Sequence, residues 1–141
     1  PEIDPERNMA AYRALTAAMS RELVASAHDC SDGGLAVALA ECCFGSDSGA
    51  KVDITPLWTD CDNLDTWGAL FGESLGRILV STSPDDRETF EKSMEAVTCH
   101  YIGDVSEGDD ISFSREGDAI LSASMKGLRE SWKGTLHGGG E

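Results

Sequence analysis

The chain has 141 residues, 40% of them hydrophobic, and its 11 basic and 26 acidic residues give a net charge of −15. This length suits one domain with a hydrophobic core of its own and is short for two domains. The negative charge opposes binding to DNA, RNA and anionic membranes, because such binding needs Lys and Arg to neutralise phosphate. The sequence also lacks a signal segment and any apolar run near the ~20 residues of a membrane span. A nucleic-acid-binding, membrane-spanning or secreted protein is therefore disfavoured.

The cysteines indicate a reduced compartment. There are five of them, an odd number, and none is arranged as CxxC or spaced with histidine as in a zinc site. This usage predicts reduced, mostly buried thiols in a cytoplasmic protein without a metal centre of its own.

The first third of the chain predicts a helix, a strand, a turn and a second helix. Asp4 and Pro5 form a good helix start, with Asp as the cap and Pro in the first position. Residues 23–27 are apolar and predict a short buried strand, and residues 28–34 predict a turn. Residues 35–44 are apolar on nearly all sides, as in a short buried helix. Apolar residues at helical spacing predict one apolar stripe on the first helix: Met9, Tyr12, Leu15 or Thr16, Met19 and Leu23.

The remaining elements continue this alternation and end in a hairpin and a helix. Strands are predicted at residues 51–55, 77–82 and 99–105, and a hairpin at 111–123. Helices are predicted around Trp67 and Leu70, from Ser83 onward, and from Met125 to Trp132. The order indicates an α/β or α+β fold with a mixed β-sheet flanked by helices. We expect one domain over residues 1–135 and a flexible tail over 136–141.

The most informative segment is the predicted turn, which leaves a strand and enters a helix. Two adjacent glycines let backbone N–H groups approach a ligand, and a helix N-terminus adds unpaired donors and a partial positive charge. Such a turn can bind an anion, typically phosphate. Alternatively, Ser31 or Asp32 caps the helix, or one Asp holds a magnesium ion that grips phosphate. We predict a phosphate- or nucleotide-binding segment made of His28, Asp29, Ser31, Asp32, Gly33 and Gly34.

Three motifs resemble a known family. HDCSDGGLAVALAE (residues 28–41) is similar to a signature of the C-terminal, AIR-synthase-related domain of phosphoribosylformylglycinamidine (FGAM) synthase. LFGESLGRILVS (residues 70–81) and GDV (residues 103–105) resemble two further segments of that domain. The form of the first motif is closer to the small, multi-subunit type of the enzyme. Cys30 departs from the family, in which an aliphatic residue is common, and leaves the polar atoms of the motif intact.

The resemblance implies a fold, a reaction and partners. It implies the three-layer α/β sandwich of that domain. The family uses ATP and Mg²⁺ to activate the amide oxygen of formylglycinamide ribonucleotide, and ammonia from a glutaminase subunit then displaces phosphate. A small accessory subunit completes the assembly. N-terminal domains supply most of the ATP, metal and catalytic residues, so this chain is expected to be a piece of a longer polypeptide, to hold no catalytic residue and to be inactive alone.

Other interpretations remain open. The same fold serves AIR synthase, thiamine-monophosphate kinase and selenophosphate synthetase, so that the chain could belong to another ATP-dependent enzyme of this superfamily. A second alternative is a non-catalytic acidic module for assembly. Glu73 and Arg77, in the second motif, predict either a surface ion pair or a contact with phosphate or a partner domain.

Overall fold

The computed structural model describes residues 4–46, 48–59 and 64–135. The helices in these ranges are α1 (Pro5–Ser20), α2 (Gly34–Phe44), α3 (Thr66–Phe71), α4 (Arg87–Ser93) and α5 (Met125–Thr135), with a 3-10 helix at Thr55–Thr59. The strands are β1 (Ser26–Asp29), β2 (Ser48–Asp53), β3 (Ile78–Ser81), β4 (Gly103–Glu107), β5 (Asp110–Arg115) and β6 (Asp118–Ser124). None of the described helices is both long and apolar enough to cross a membrane.

The chain divides into two compact units, each built from two separate stretches. The first unit consists of Pro1–Ala38 and Leu70–His100, and the second of Leu39–Ala69 and Tyr101–Glu141. The predicted single domain over residues 1–135 stays a prediction, and the predicted tail at 136–141 lies outside the described residues.

The first unit contains a two-stranded antiparallel sheet and two packed helices. Strands β1 and β3 pair with Ser26 opposite Ser81 and Asp29 opposite Ile78. Two strands alone are marginally stable in water, so the apolar core beside them matters for their stability. The buried members of that core come from α1, α4 and the residues that follow them: Ala18, Leu23, Phe90 and Met94.

The second unit contains a four-stranded mixed sheet in the order β4-β2-β5-β6. Strand β2 runs parallel to β5 and antiparallel to β4, and β5 and β6 form an antiparallel hairpin. Residues 50–53 of β2 and 110–114 of β5 alternate between buried and less buried positions, which is the period expected of a strand with one face on a core. The largest fully buried side chains of this unit are Ile54 and Met125.

The α/β class, the mixed sheet and the terminal hairpin are confirmed, but the strands are distributed between sheets differently from the prediction. The described strands form two sheets, whereas the element order predicts one. The difference arises because order along the chain does not say which strands pair. The predicted buried strand at residues 23–27 is also misplaced: β1 runs from Ser26 to Asp29, and only His28 in it is partly covered.

Helix α1 starts as predicted, but only part of its predicted apolar stripe lies on the core. The Asp4 carboxylate accepts a hydrogen bond from the backbone N–H of Arg7 at 2.9 Å, as a helix cap does. The prediction is confirmed for Leu15 and Leu23, which pack in the core around Ala18. It was wrong for three large side chains, which are 46%, 40% and 44% exposed: Met9, Tyr12 and Met19.

Candidate functional site

The six residues of the predicted site form the end of a strand, a turn and the start of a helix. His28 and Asp29 end strand β1, and α2 begins at Gly34. Beyond the last pair of the β1–β3 ladder, the Cys30 N–H donates to the carbonyl of Arg77 at 3.0 Å. The strand–turn–helix order predicted for this segment is therefore present.

The two glycines are required by the backbone and by its neighbours. Gly33 and Gly34 have φ angles of 78° and 67°, in the left-handed region that favours glycine. A Cβ atom at Gly34 would lie within 2.9 Å of backbone atoms of Leu70, Phe71 and Gly72. The turn thus lies directly against the segment that carries the second sequence motif, and no larger residue fits at position 34.

The amides of both glycines are bound by protein groups. The Gly33 N–H donates to Oε1 of Glu73 at 3.0 Å, and the Gly34 N–H donates to the carbonyl of Ser31 at 3.1 Å. A carboxylate therefore lies where the positive end of α2 attracts negative charge. Sequence reasoning missed this role of Glu73, because no local pattern links residues 40 positions apart.

The next two residues of α2, Leu35 and Ala36, are buried, at 4% and 9% exposure. Within the described ranges, no protein group accepts a hydrogen bond from the N–H of Leu35 or Ala36. Both lie in the first turn of the helix, where amides have no partner inside the helix. Gly33, in the cap position, has no side chain with which to cap them. The two glycine amides are thus used by protein groups, whereas those of Leu35 and Ala36 have no protein acceptor.

A hydrogen bond favours the ionised form of the carboxyl group at the end of β1. The hydroxyl of Ser31 donates to Oδ2 of Asp29 and is the main reason why the pKa of this carboxyl lies below its usual value, with a smaller effect from nearby His28. Nδ1 of His28 donates to the Asp29 carbonyl at 2.7 Å. The Ser31 hydroxyl is directed to Asp29, which argues against its predicted alternative role as the cap of α2.

The negative charge of the turn limits the ligands that the turn can bind. Asp29, Ser31 and Asp32 are all exposed, so two carboxylates face solvent beside the start of α2. Such a surface repels a bare phosphate but tolerates one whose charge a cation neutralises. In the part of the chain that the structure describes, no three His, Cys, Asp or Glu side chains converge as a metal site.

Cys30, in the middle of the turn, is a structural residue. It is buried, and this burial raises the pKa of its thiol. A buried, protonated thiol is a poor nucleophile and behaves as a small apolar side chain.

The fold and this turn together define a family of domains. The family described as "AIR synthase related protein, C-terminal domain" matches residues 1–116, which include the whole turn. The chain belongs to this family, as its motifs predicted. The match ends within the β5–β6 hairpin, so β6 and α5 lie beyond it.

The relatives are much longer proteins. Phosphoribosylformylglycinamidine synthase subunit PurL of Prochlorococcus marinus (strain NATL1A) is 31% identical over 97% of this chain. The alignment covers 17% of that protein. The sequence resemblance to FGAM synthase is thereby confirmed for this domain, and the chain spans about a fifth or less of the length of the relatives it matches.

Solved structures of Thermotoga maritima PurL share the fold. PurL complexed with FGAR matches with a TM-score of 0.81 and 21% identity, over 89% of this chain and 21% of that one. The structure of PurLQS matches with a TM-score of 0.80 and 22% identity, over 89% and 22%. PurL complexed with ATP matches with a TM-score of 0.72 and 20% identity, over 82% and 20%. At these identities the likeness concerns the fold alone.

Proposed function

We propose that this chain is a domain of an FGAM synthase. The enzyme converts formylglycinamide ribonucleotide to formylglycinamidine ribonucleotide, an ATP-dependent C–N ligation in purine biosynthesis that takes ammonia from glutamine. The 31% identity to a PurL subunit supports this proposal, together with the fold shared with PurL structures that are named as complexes with ATP and FGAR.

The β1–α2 turn is the part of this chain that contributes to binding. The observation that carries this assignment is the pair of unpartnered amides at Leu35 and Ala36, which follow two glycines held in the left-handed region. Amides at a helix start bind phosphate oxygens of a nucleotide or of the ribonucleotide substrate. In this proposal, the residues beside those amides are His28, Asp29, Ser31 and Asp32, which are exposed or half-buried.

The rest of the catalytic apparatus belongs to other parts of the assembly. Phosphoryl transfer needs a triphosphate, its metal ion and the acceptor held in line. We assign Mg²⁺ and most ATP contacts to other domains of a longer polypeptide, as the resemblance to FGAM synthase implies. A glutaminase subunit and a small accessory subunit are the expected partners, the expected location is the cytoplasm, and the isolated chain is expected to be inactive.

An activity assay tests the proposal. The full-length polypeptide is incubated with ATP, Mg²⁺, ammonia and formylglycinamide ribonucleotide, and release of ADP is measured. ADP release that requires both ammonia and this ribonucleotide supports the proposal. Release that instead requires thiamine monophosphate, selenide or formylglycinamidine ribonucleotide would assign the chain to another enzyme of the superfamily. The isolated chain serves as the control and should release none.

One observation favours a second role for the turn. The Gly33 and Gly34 amides already bind Glu73 and Ser31, which is what a turn that only shapes the domain would show. In that case the turn positions α2 and touches no ligand. Nucleotide titration of the full-length polypeptide separates the two roles, because a change at Asp32, which is exposed, alters nucleotide affinity only if the turn lines the pocket.

A further inference from the structure

Helix α1 has two apolar faces, and only one of them is covered. Its inner face packs on the core of the first unit through Ala14, Leu15 and Ala18. On the opposite side, exposed residues recur at intervals of four and three along the whole helix. We call this row the outer stripe, and its members are Pro5, Met9, Tyr12, Thr16 and Met19.

The spacing of the outer stripe is that of a helix–helix contact. Apolar residues at alternating intervals of three and four form the seam along which one helix packs against another. A surface helix needs one apolar stripe for its own core, so a second full-length stripe on the far side is unexplained by folding alone. Three large side chains on it are between 40% and 46% exposed.

The hydroxyls of Thr16 and Ser20 are bonded within the helix. Thr16 donates from its hydroxyl to the Tyr12 carbonyl at 2.7 Å, and Ser20 donates in the same way to the Thr16 carbonyl at 3.0 Å. Covering these two hydroxyls therefore leaves neither unsatisfied, whereas the Tyr12 hydroxyl needs an acceptor on the covering surface.

Charge and area argue against a second copy of the chain as the occupant. Two chains of net charge −15 repel each other. The stripe is about 24 Å long and about 10 Å wide, so that a contact along it buries on the order of 500 Å² in total. A free-standing complex needs about 1,200 Å² or more. A partner tethered in the same polypeptide needs less, because the linker supplies an effective concentration in the millimolar range.

We propose that the outer stripe packs against an apolar helix of another domain in the same, longer polypeptide. The chain matches only 17% to 22% of the length of its relatives, so that most of such a polypeptide lies outside this domain. Within Pro5–Ser20, α1 carries one acidic residue, Glu6, and two arginines. The helix therefore lacks the excess negative charge of the whole chain. It can approach a neutral or mildly acidic surface. The inference rests on the proposed function only in requiring a longer polypeptide.

Methionine oxidation by peroxide tests the proposal, because its rate follows side-chain exposure. Met9 and Met19 should oxidise about tenfold more slowly in the full-length polypeptide than free methionine does. In the isolated chain they should react within a few-fold of free methionine. Fast oxidation of both in the full-length polypeptide overturns the proposal, whether or not the polypeptide shows the proposed activity.

Two matched variants give a second readout. Met9→Glu places a charge on the outer stripe, and Ala10→Glu places the same charge on an exposed site beside it. We expect Met9→Glu to lower the melting temperature of the full-length polypeptide by several degrees, and Ala10→Glu to change it little. Equal effects of the two variants overturn the proposal. A second result would also overturn it: the isolated chain sediments as a dimer, and Met9→Glu converts it to a monomer. The outer stripe would then pack against a second copy of the chain.

Discussion

The same three-residue pattern ends a strand in each unit of the molecule. In the first unit, Asp29 ends β1 and accepts a hydrogen bond from the Ser31 hydroxyl. In the second, Asp53 ends β2 and accepts one from the Thr55 hydroxyl at 2.5 Å. In both places this hydrogen bond is the main cause of a carboxyl pKa below its usual value.

The two strand ends differ in what their polar atoms do next. The Thr55 N–H donates to Asp53 at 3.0 Å, and the Thr55 hydroxyl accepts from the Glu116 N–H at 2.7 Å. The Thr55 hydroxyl of this pattern therefore holds the turn of the β5–β6 hairpin in place by a hydrogen bond. At the end of β1, Asp29 and Ser31 stay exposed and lead into the glycine turn. The Asp-x-Ser/Thr pattern is thus structural at the end of β2 and a candidate binding element at the end of β1. The residues around each pattern make this difference.

The largest expected effect concerns the glycine turn, which only the first strand end has. Gly34→Ala should lower the free energy of unfolding by about 3 kcal/mol, from a strained positive φ and from contact with fixed backbone. Urea denaturation measures this change in the free energy of unfolding. Gly45→Ala is the control, because nothing lies within 4 Å of a Cβ there. A loss at Gly34 no larger than at Gly45 would mean that the turn is not packed as described.

A second prediction separates the structural pattern from the exposed one. Thr55→Ala should lower the free energy of unfolding by about 1.5 kcal/mol, since the Glu116 amide loses its acceptor. Ser31→Ala should lower it by less than about 0.5 kcal/mol, as is usual for surface changes. Thr55→Ser keeps the hydroxyl and should restore most of the loss. Equal losses at positions 55 and 31 would remove the contrast between the two strand ends.

The third prediction concerns the carboxylate on the Gly33 amide. Glu73→Ala should lower the free energy of unfolding by about 1 kcal/mol, because the start of α2 loses an acceptor. Glu73→Gln retains an oxygen that can accept and should lose less. Chemical denaturation of the two variants measures the difference. If both variants are as stable as the parent chain, the Glu73 contact does not hold the turn.

The smallest expected effect appears in acid. The pKa values of Asp29 and Asp53 are lowered from 3.8 in the folded state, so each carboxylate stabilises the fold at pH above 3.8. This stabilisation is lost as pH falls through the lowered pKa. Asp29→Asn and Asp53→Asn should each flatten the fall of the melting temperature between about pH 4 and pH 2. A fall as steep as in the parent chain for both variants would contradict the assigned cause.

Local signals in the sequence predicted local structure well. The Asp4–Pro5 start of α1, the turn before α2 and the hairpin at residues 115–118 follow from capping and turn chemistry that neighbouring residues determine. The site residues are contiguous, so their proximity was certain once the turn was recognised.

Contacts between distant residues could not be predicted in this way. The pairing of β1 with β3 joins residues about 50 positions apart, and the Glu73 contact joins residues 40 apart. The buried face of α1 was predicted only in part, with Leu15 and Leu23 right, because apolar residues occur on two sides of the helix and the large side chains hid the packing of the alanines. Ala18, which is fully buried, gives no stronger signal than the exposed Ala17 beside it.

The central claim is that the start of α2 receives an anionic ligand in the longer polypeptide. Hydrogen–deuterium exchange at single amides of the full-length polypeptide tests it, with and without ATP, Mg²⁺ and formylglycinamide ribonucleotide. The amides of Leu35 and Ala36 should exchange at least about tenfold more slowly with ligand, while that of Glu116 stays unchanged. Unchanged exchange at Leu35 and Ala36, while calorimetry shows that the ligands bind, would contradict the claim.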